Sequence, residues 1–131
     1  MTEIKPKKTE YTNQKEIFEI VLKEIKKKYL KLFSRAYVMG SLVSGKFGIY
    51  EKEYEGYLGS DIDIIGIPKD CLPKNWKYKG ICHDWHHAYQ IGVIEIKGIK
   101  HPINLIIPIK HDLKLLFDKT KELKKEIIRI K

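Results

Sequence analysis

Apolar and polar residues at the start of the chain alternate with the period of an amphipathic helix. Apolar side chains recur on one face, at Ile17, Val21, Ile25, Tyr29 and Leu32. This pattern predicts a helix over residues 13–33. Asn13 followed by Glu16 has the spacing of a capping box at its start. The residues before it are polar and basic, and we expect residues 1–12 to form a flexible tail.

The middle of the chain contains short extended segments. Residues 35–40 and 61–68 are β-prone apolar runs and predict two strands. Residues 89–108 predict two further strands around a turn at residues 98–101, which would place His101 in the turn.

Other segments show weaker patterns. Residues 41–48 suit the start of a short helix, whereas residues 51–59 and 69–82 lack a clear period and are expected to be irregular. Near the C-terminus, apolar positions recur at Leu113, Leu116, Thr120, Leu123 and Ile127. They predict an amphipathic helix within residues 111–131, with Asp112 near its start.

This order of elements predicts an α/β or α+β fold. We expect a small mixed β-sheet of about four strands, with flanking helices packed mainly on one face. The chain has 131 residues, of which 43% are hydrophobic and 33% charged. These values suit one globular domain over residues 13–131.

Composition also limits the cellular compartments in which we expect the protein. No apolar run is long enough for a membrane span and the N-terminus lacks a secretion signal, so we expect no membrane association and a cytoplasmic location. Cys71 and Cys82 are expected to be reduced thiols there.

The net charge of +9 favours polyanionic partners such as nucleotides or nucleic acid, although a solvated lysine-rich surface would give the same balance. Almost all of the basic residues are lysines. Such charge favours non-specific attraction over the reading of bases by arginine.

Asp61 and Asp63 are two carboxylates in an otherwise apolar segment. In a strand, residues two apart point to the same side, so the two carboxylates would project together while Ile62 and Ile64 face the core. Paired carboxylates repel each other, and a divalent cation such as Mg²⁺ would remove that repulsion. The alternative is that both simply lie at an exposed strand end.

The preceding predicted strand ends in the sequence Met-Gly-Ser. Gly40 would let the backbone approach a ligand closely, and the Ser41 hydroxyl and neighbouring N–H groups can bind phosphate oxygens. Gly45 adds conformational freedom. Lys46 would either neutralise phosphate charge or lie in solvent.

The segments GSLVSG, residues 40–45, and SDIDIIG, residues 60–66, together resemble the nucleotidyltransferase superfamily that shares the DNA polymerase β palm. The resemblance covers residues 13–108. It implies that Gly40 and Ser41 contact the triphosphate of an NTP and that Asp61 and Asp63 are catalytic and bind Mg²⁺ or Mn²⁺. It further implies attack of a hydroxyl on the α-phosphorus with pyrophosphate as leaving group.

The chain departs from that family at two places. The interval between Ser41 and Asp61 is long, and its tyrosines would either stack on a base or pack against the protein. The third metal-binding carboxylate of the family corresponds to Asn104, whose amide can ligate a metal but cannot accept a proton. Glu95 is the nearby acid that could substitute for it.

Two functions follow as expectations. One is a nucleotidyltransferase that transfers a nucleoside monophosphate, with ATP as the expected donor, to a protein or nucleic acid. The other is a catalytically weakened protein of the same fold that binds nucleotide, nucleic acid or a partner. By resemblance, the partner would be a small helical protein. Assembly as a homo-oligomer is an alternative.

A separate cluster of Cys and His residues has a composition that suits Zn²⁺, but its spacing favours a polar loop anchored by Trp85. Its members are Cys71, Cys82, His83, Asp84, His86 and His87.

Overall fold

The computed structural model describes residues 4–131 as a mixed α+β fold with two β-sheets. The helices are α1 (Gln14–Lys28), α2 (Ser41–Ser44) and α3 (Leu113–Glu122). The strands are β1 (Lys8–Glu10), β2 (Phe33–Met39), β3 (Gly48–Tyr54), β4 (Tyr57–Gly59), β5 (Ile62–Pro68), β6 (Lys77–Cys82), β7 (His86–Ile96), β8 (Ile99–Pro108) and β9 (Ile128–Arg129).

The main sheet has six strands in the order β6-β7-β8-β5-β2-β9, rather than the four or so that we predicted. Strand β5 runs antiparallel to β2 and parallel to β8. The second sheet has three strands in the order β1-β3-β4. The mixed α+β class is confirmed, but the strand count was wrong because the additional strands are short or polar.

The two longer helices cover opposite faces of the main sheet, so the expectation of helices mainly on one face was wrong. Ile17, Val21 and Ile25 of α1 are fully buried in one cluster with Ile62 and Ile64 of β5. Leu116 of α3 joins a second cluster with Tyr37, Ile65 and Trp85. Because side chains alternate along β5, the aspartates share the α3 face of the sheet.

Several predicted boundaries differ from the structure. Residues 8–10, assigned to the tail, form β1 and pair with β3. Residues 51–59, expected to be a loop, form most of the hairpin of β3 and β4, and residues 77–82 form β6. In each case, pairing with another strand imposes the extended conformation.

The helices are shorter than their apolar patterns predicted. Helix α1 ends at Lys28 and is followed by a 3₁₀ turn, Leu30–Leu32. Asn13 contacts Glu16 through its side chain, at 3.1 Å, but forms no cap to the backbone, so the predicted capping box is absent. Helix α3 ends at Glu122, and its N-cap Asp112 accepts a hydrogen bond from the Leu115 amide as expected.

His101 connects the small sheet to the main sheet instead of lying in the predicted turn. It is fully buried within β8, where its Nδ1 lies 2.8 Å from the Ser60 carbonyl oxygen. Its Nε2 lies 2.9 Å from the Tyr11 hydroxyl, and its ring stacks on Phe47. Burial lowers the pKa of His101, which favours the neutral ring.

No helix within residues 4–131 has the length and apolar composition needed to cross a bilayer.

We predict that Tyr11→Phe lowers the free energy of unfolding by about 1 kcal/mol, because it leaves the buried His101 nitrogen without its partner. Urea denaturation would measure this. The matched control is Tyr78→Phe, since Tyr78 makes a similar 2.9 Å contact with His87 at the protein surface. We expect the control to have little effect, and equal losses in both variants would contradict the anchoring role of His101.

Candidate functional site

The pairing of three strands brings the predicted site residues together on the α3 face of the sheet. Asp63 of β5 is in register with Met39 of β2 on one side and with Asn104 of β8 on the other. Asp61 precedes β5 directly. The sheet therefore brings together three features that are far apart in the sequence: the Asp-x-Asp segment, the Gly-Ser bend and Asn104. They meet near the end of β2 and the start of β5.

Gly40 lies against the carboxylate of Asp63. Its backbone has φ +80°, and a Cβ atom built there would lie 2.5 Å from Asp63 Oδ2. Any side chain at this position would therefore displace the carboxylate, and the conformation itself favours glycine. One turn of helix, α2, follows directly, as the sequence predicted, and Gly45 ends it in a left-handed conformation.

The two aspartates lie in an environment that disfavours their ionisation. Burial and the charge of Asp61 raise the pKa of Asp63 to about 6. Burial and the charge of Glu55 raise the pKa of Asp61. In the described part of the chain, no lysine or arginine forms a salt bridge with either aspartate.

Asn104 partly compensates for the repulsion between the carboxylates. Its Nδ2 lies 3.5 Å from Asp63 Oδ1, a long contact, and its side chain lowers the pKa of both aspartates. In this orientation the amide acts as a donor. Rotation of the amide by 180° would present its oxygen to the same position, where it could contact a cation.

Glu95 does not belong to the site. It is exposed and pairs with Lys100 on β8, four positions before Asn104, which corresponds to about 13 Å along the strand. The carboxylate near the site is Glu55, which sequence reasoning missed. It lies at the tip of the β3–β4 hairpin and lines a small crevice together with Asp61 and Asn104.

A cavity of about 480 Å³ opens beside Gly40 and Ser41, and we call it the cationic cavity. Its walls contain lysines from three separate parts of the chain, namely Lys5, Lys8, Lys46, Lys124 and Lys125. Among residues 4–131, Glu126 is the one acid in its lining. Burial and the charge of Lys5 lower the pKa of Lys8. Lys46 lines this cavity, whereas Gly45 does not.

The tyrosines of the long interval pack against the protein. Tyr50 is buried and contacts Tyr54 edge to face, with ring centroids 5.4 Å apart. The hydroxyl of Tyr57 accepts a hydrogen bond of 2.8 Å from Gln90, at the crevice that contains Asp61.

The segment rich in Cys and His does not assemble a metal site of its own. Cys71 and Cys82 are free thiols, and Trp85 is buried. Within residues 4–131, no group of three or more His, Cys, Asp or Glu side chains is arranged to bind a metal ion. Any cation at Asp61 and Asp63 would therefore need ligands from elsewhere.

We predict that Asp63→Asn stabilises the metal-free protein above about pH 6. The folded chain holds the Asp63 proton more tightly than the unfolded chain, because its pKa is raised from 3.8 to about 6. The contribution of protonated Asp63 to the free energy of unfolding is thus fully present below about pH 4. It is lost as the pH rises to about 6. The variant should gain roughly 2–3 kcal/mol at neutral pH.

Urea denaturation in EDTA between about pH 4 and pH 8 would test this. Asp70→Asn, at an exposed aspartate just after β5, is the matched control and should follow the wild-type profile. Parallel profiles for wild type and Asp63→Asn would show that Asp63 ionises without cost.

Comparison of the chain with models of protein families, with curated proteins and with solved structures found no match in any of the three. Any function of the chain must therefore be inferred from the residues of this site.

Proposed function

We propose that this protein is a Mg²⁺-dependent or Mn²⁺-dependent nucleotidyltransferase. It would transfer a nucleoside monophosphate, with ATP as the expected donor, to a hydroxyl group on a protein or nucleic acid. The observation that carries the proposal is the contact of Gly40 with the carboxylate of Asp63. This contact makes the Gly-Ser bend and the aspartate pair parts of one surface, as a metal-bound triphosphate requires.

The charge of the cationic cavity supports binding of the triphosphate there. Five lysines and the hydroxyls of Ser41 and Ser44 line a space of about 480 Å³ beside the aspartates. Lysines held close together repel one another. Burial is the main cause of the lowered pKa of Lys8, and the charge of Lys5 lowers it further. A polyanion would relieve this repulsion, just as a cation would relieve that between Asp61 and Asp63.

The aspartate pair fits a hard divalent cation. Mg²⁺ in proteins commonly binds one or two carboxylates and takes its remaining ligands from water and substrate phosphates. Asp61 and Asp63 would supply the carboxylates, and Asn104 an amide oxygen after rotation. When bound, the cation would stabilise charge on the transferring phosphate and on the leaving pyrophosphate.

The transfer forms a bond from the acceptor oxygen to the α-phosphorus and breaks the bond between the α-phosphorus and the bridging oxygen. Pyrophosphate leaves with the electrons of that bond, and the acceptor loses its hydroxyl proton. Asn104 cannot take the proton, because a neutral amide is not a base. Glu55, beside Asp61 and Asn104 in the crevice, would accept it.

A second function is favoured by Asn104 itself. Without a third carboxylate at this position, the same surface would bind a nucleotide or nucleic acid while turning over slowly or not at all. The net charge of +9 suits such a binding module. It would act in the cytoplasm, either as a monomer, as a homo-oligomer or with a small helical partner protein.

For the transferase, we predict that Asp61→Asn abolishes Mg²⁺-dependent release of pyrophosphate from ATP. Glu55→Gln keeps the shape of the side chain but removes the base, and should lower kcat by about 100-fold. Asp70→Asn is the control and should retain wild-type turnover. Unchanged turnover in Asp61→Asn would exclude the transferase, and nucleotide binding without turnover in the wild type would favour the second function.

For the binding module, we predict that affinity for single-stranded RNA falls steeply as salt rises. Replacing Lys46 by Gln should reduce the slope of log K against log salt by roughly 0.7, the value for one lost phosphate contact. Lys26→Gln, on the exposed face of α1, is the matched control and should leave the slope unchanged. RNA affinity that does not depend on salt would contradict this function.

A further inference from the structure

A second cavity, of about 550 Å³, lies on the α3 face of the main sheet, and we call it the sheet-face cavity. Strand residues Met39, Asp63, Ala88, Asn104 and Ile106 line it, together with Trp85 and His86 at the start of β7 and Thr120 and Leu123 near the end of α3. Its volume is within the range of small-molecule sites. Asp63, Asn104 and Glu55, which have roles in the proposed transfer, line one part of it, and most of its other lining residues have no role there.

The sheet-face cavity adjoins the cationic cavity. Met39 lines the former and Gly40, the next residue, lines the latter. Lys125 lines both cavities, and Asp63, which faces the sheet-face cavity, contacts the Gly40 position. A ligand with its phosphates beside Ser41 would therefore extend past Asp63 directly into the sheet-face cavity.

The two cavities differ in chemistry. The cationic cavity is lined mainly by lysines and hydroxyl groups. In the sheet-face cavity most of the exposed wall is apolar, with contributions from Met39, Ile106 and Leu123. Its charged residues have both signs: Glu55, Asp63, Lys79 and Lys125. Burial lowers the pKa of His86, which favours its uncharged ring. A group bound against the apolar wall should accordingly be uncharged rather than a second anion.

Trp85 gives the sheet-face cavity a reporter. Its side chain is 4% exposed, and its indole Nε1 has no hydrogen-bond partner among the described residues. A buried donor without an acceptor is costly. A nearby ring bearing acceptor atoms would offer one after a small shift of the indole.

We propose that the sheet-face cavity binds the base and ribose of the nucleoside triphosphate whose phosphates occupy the cationic cavity. The inference rests on the proposed function and adds to it the location of the nucleoside. It follows from the adjacency of a polycationic and an apolar cavity at Gly40 and Asp63. Selectivity among nucleotides would then be set by residues of β7, β8 and α3, and phosphate affinity by the lysines.

A fluorescence experiment tests the location. The chain contains two tryptophans, and Trp76 packs against Tyr29 and Phe33 in the cluster that contains α1. Trp76→Phe leaves Trp85 as the sole tryptophan. With Mg²⁺ present, we expect ATP to change Trp85 emission saturably, while tripolyphosphate, whose binding is followed by calorimetry, leaves the emission unchanged.

A cavity-filling variant tests the same inference without fluorescence. Ala88→Leu narrows the sheet-face cavity and should weaken ATP binding by about tenfold or more, while tripolyphosphate binding changes less than about twofold. Val93→Leu is the matched control, because Val93 is on the same strand and lines neither cavity. It should leave both affinities unchanged.

The outcomes separate this inference from the proposed function. One outcome would overturn the nucleoside location alone. In that outcome tripolyphosphate binds, wild type and Ala88→Leu bind ATP with equal affinity, and the emission of Trp85 does not change. If neither ATP nor tripolyphosphate binds, the proposed function and this inference are overturned together. A Trp85 response to tripolyphosphate equal to that for ATP would also contradict the inference, because the phosphates would then account for it.

Discussion

The register of β5 between β2 and β8 is the constraint on which the candidate site depends. Side chains alternate along a strand, so the register that buries Ile62 and Ile64 against α1 also directs Asp61 and Asp63 to the opposite face. A slip by one residue would place both carboxylates among the apolar side chains of α1, at a cost of several kcal/mol. The apolar core thereby fixes where the carboxylates lie.

Segments near both termini contribute to the site because each pairs with a strand next to it, β9 with β2 and β1 with β3. Strand β9 pairs with β2, and the Lys131 amine donates a 2.8 Å hydrogen bond to the Leu30 carbonyl oxygen. These contacts hold the segment containing Lys124 and Lys125 beside the Gly-Ser bend. Strand β1 pairs with β3 and keeps Lys5 and Lys8 on the other side of the cavity. The positive charge is thus collected by tertiary pairing rather than by a run of sequence.

How far sequence could predict this structure depended on the range of the interactions involved. The β5 strand, the short helix after Gly40 and the N-cap Asp112 follow from local patterns, and they were predicted correctly. The β3–β4 hairpin was missed because its exposed strands are polar and owe their extension to β1 and to each other. The predicted C-terminal helix was longer than the observed one. Residues 128–129 continue its apolar pattern but pair with β2 as a strand.

The same distinction applies to the candidate site. Gly40, Asp61 and Asp63 carry recognisable local signals. Glu55 and Lys125 do not, because their place in the site depends on a hairpin tip and a C-terminal segment that no periodic pattern connects to β5. His101, by contrast, falls within the predicted turn at residues 98–101, although burial against Tyr11 and Phe47 places it in β8.

The replacement of a carboxylate by Asn104 changes the balance of the site in a definite direction. A third negative charge beside Asp61 and Asp63 would raise their pKa values further, whereas the amide lowers them. The site with Asn104 is therefore easier to ionise without a bound cation, but β8 supplies no carboxylate that could act as a base. If Glu55 supplies that base, proton transfer depends on a hairpin tip, which is exposed. In such a site the sheet would set metal and phosphate binding, and the position of the β3–β4 hairpin would set the rate.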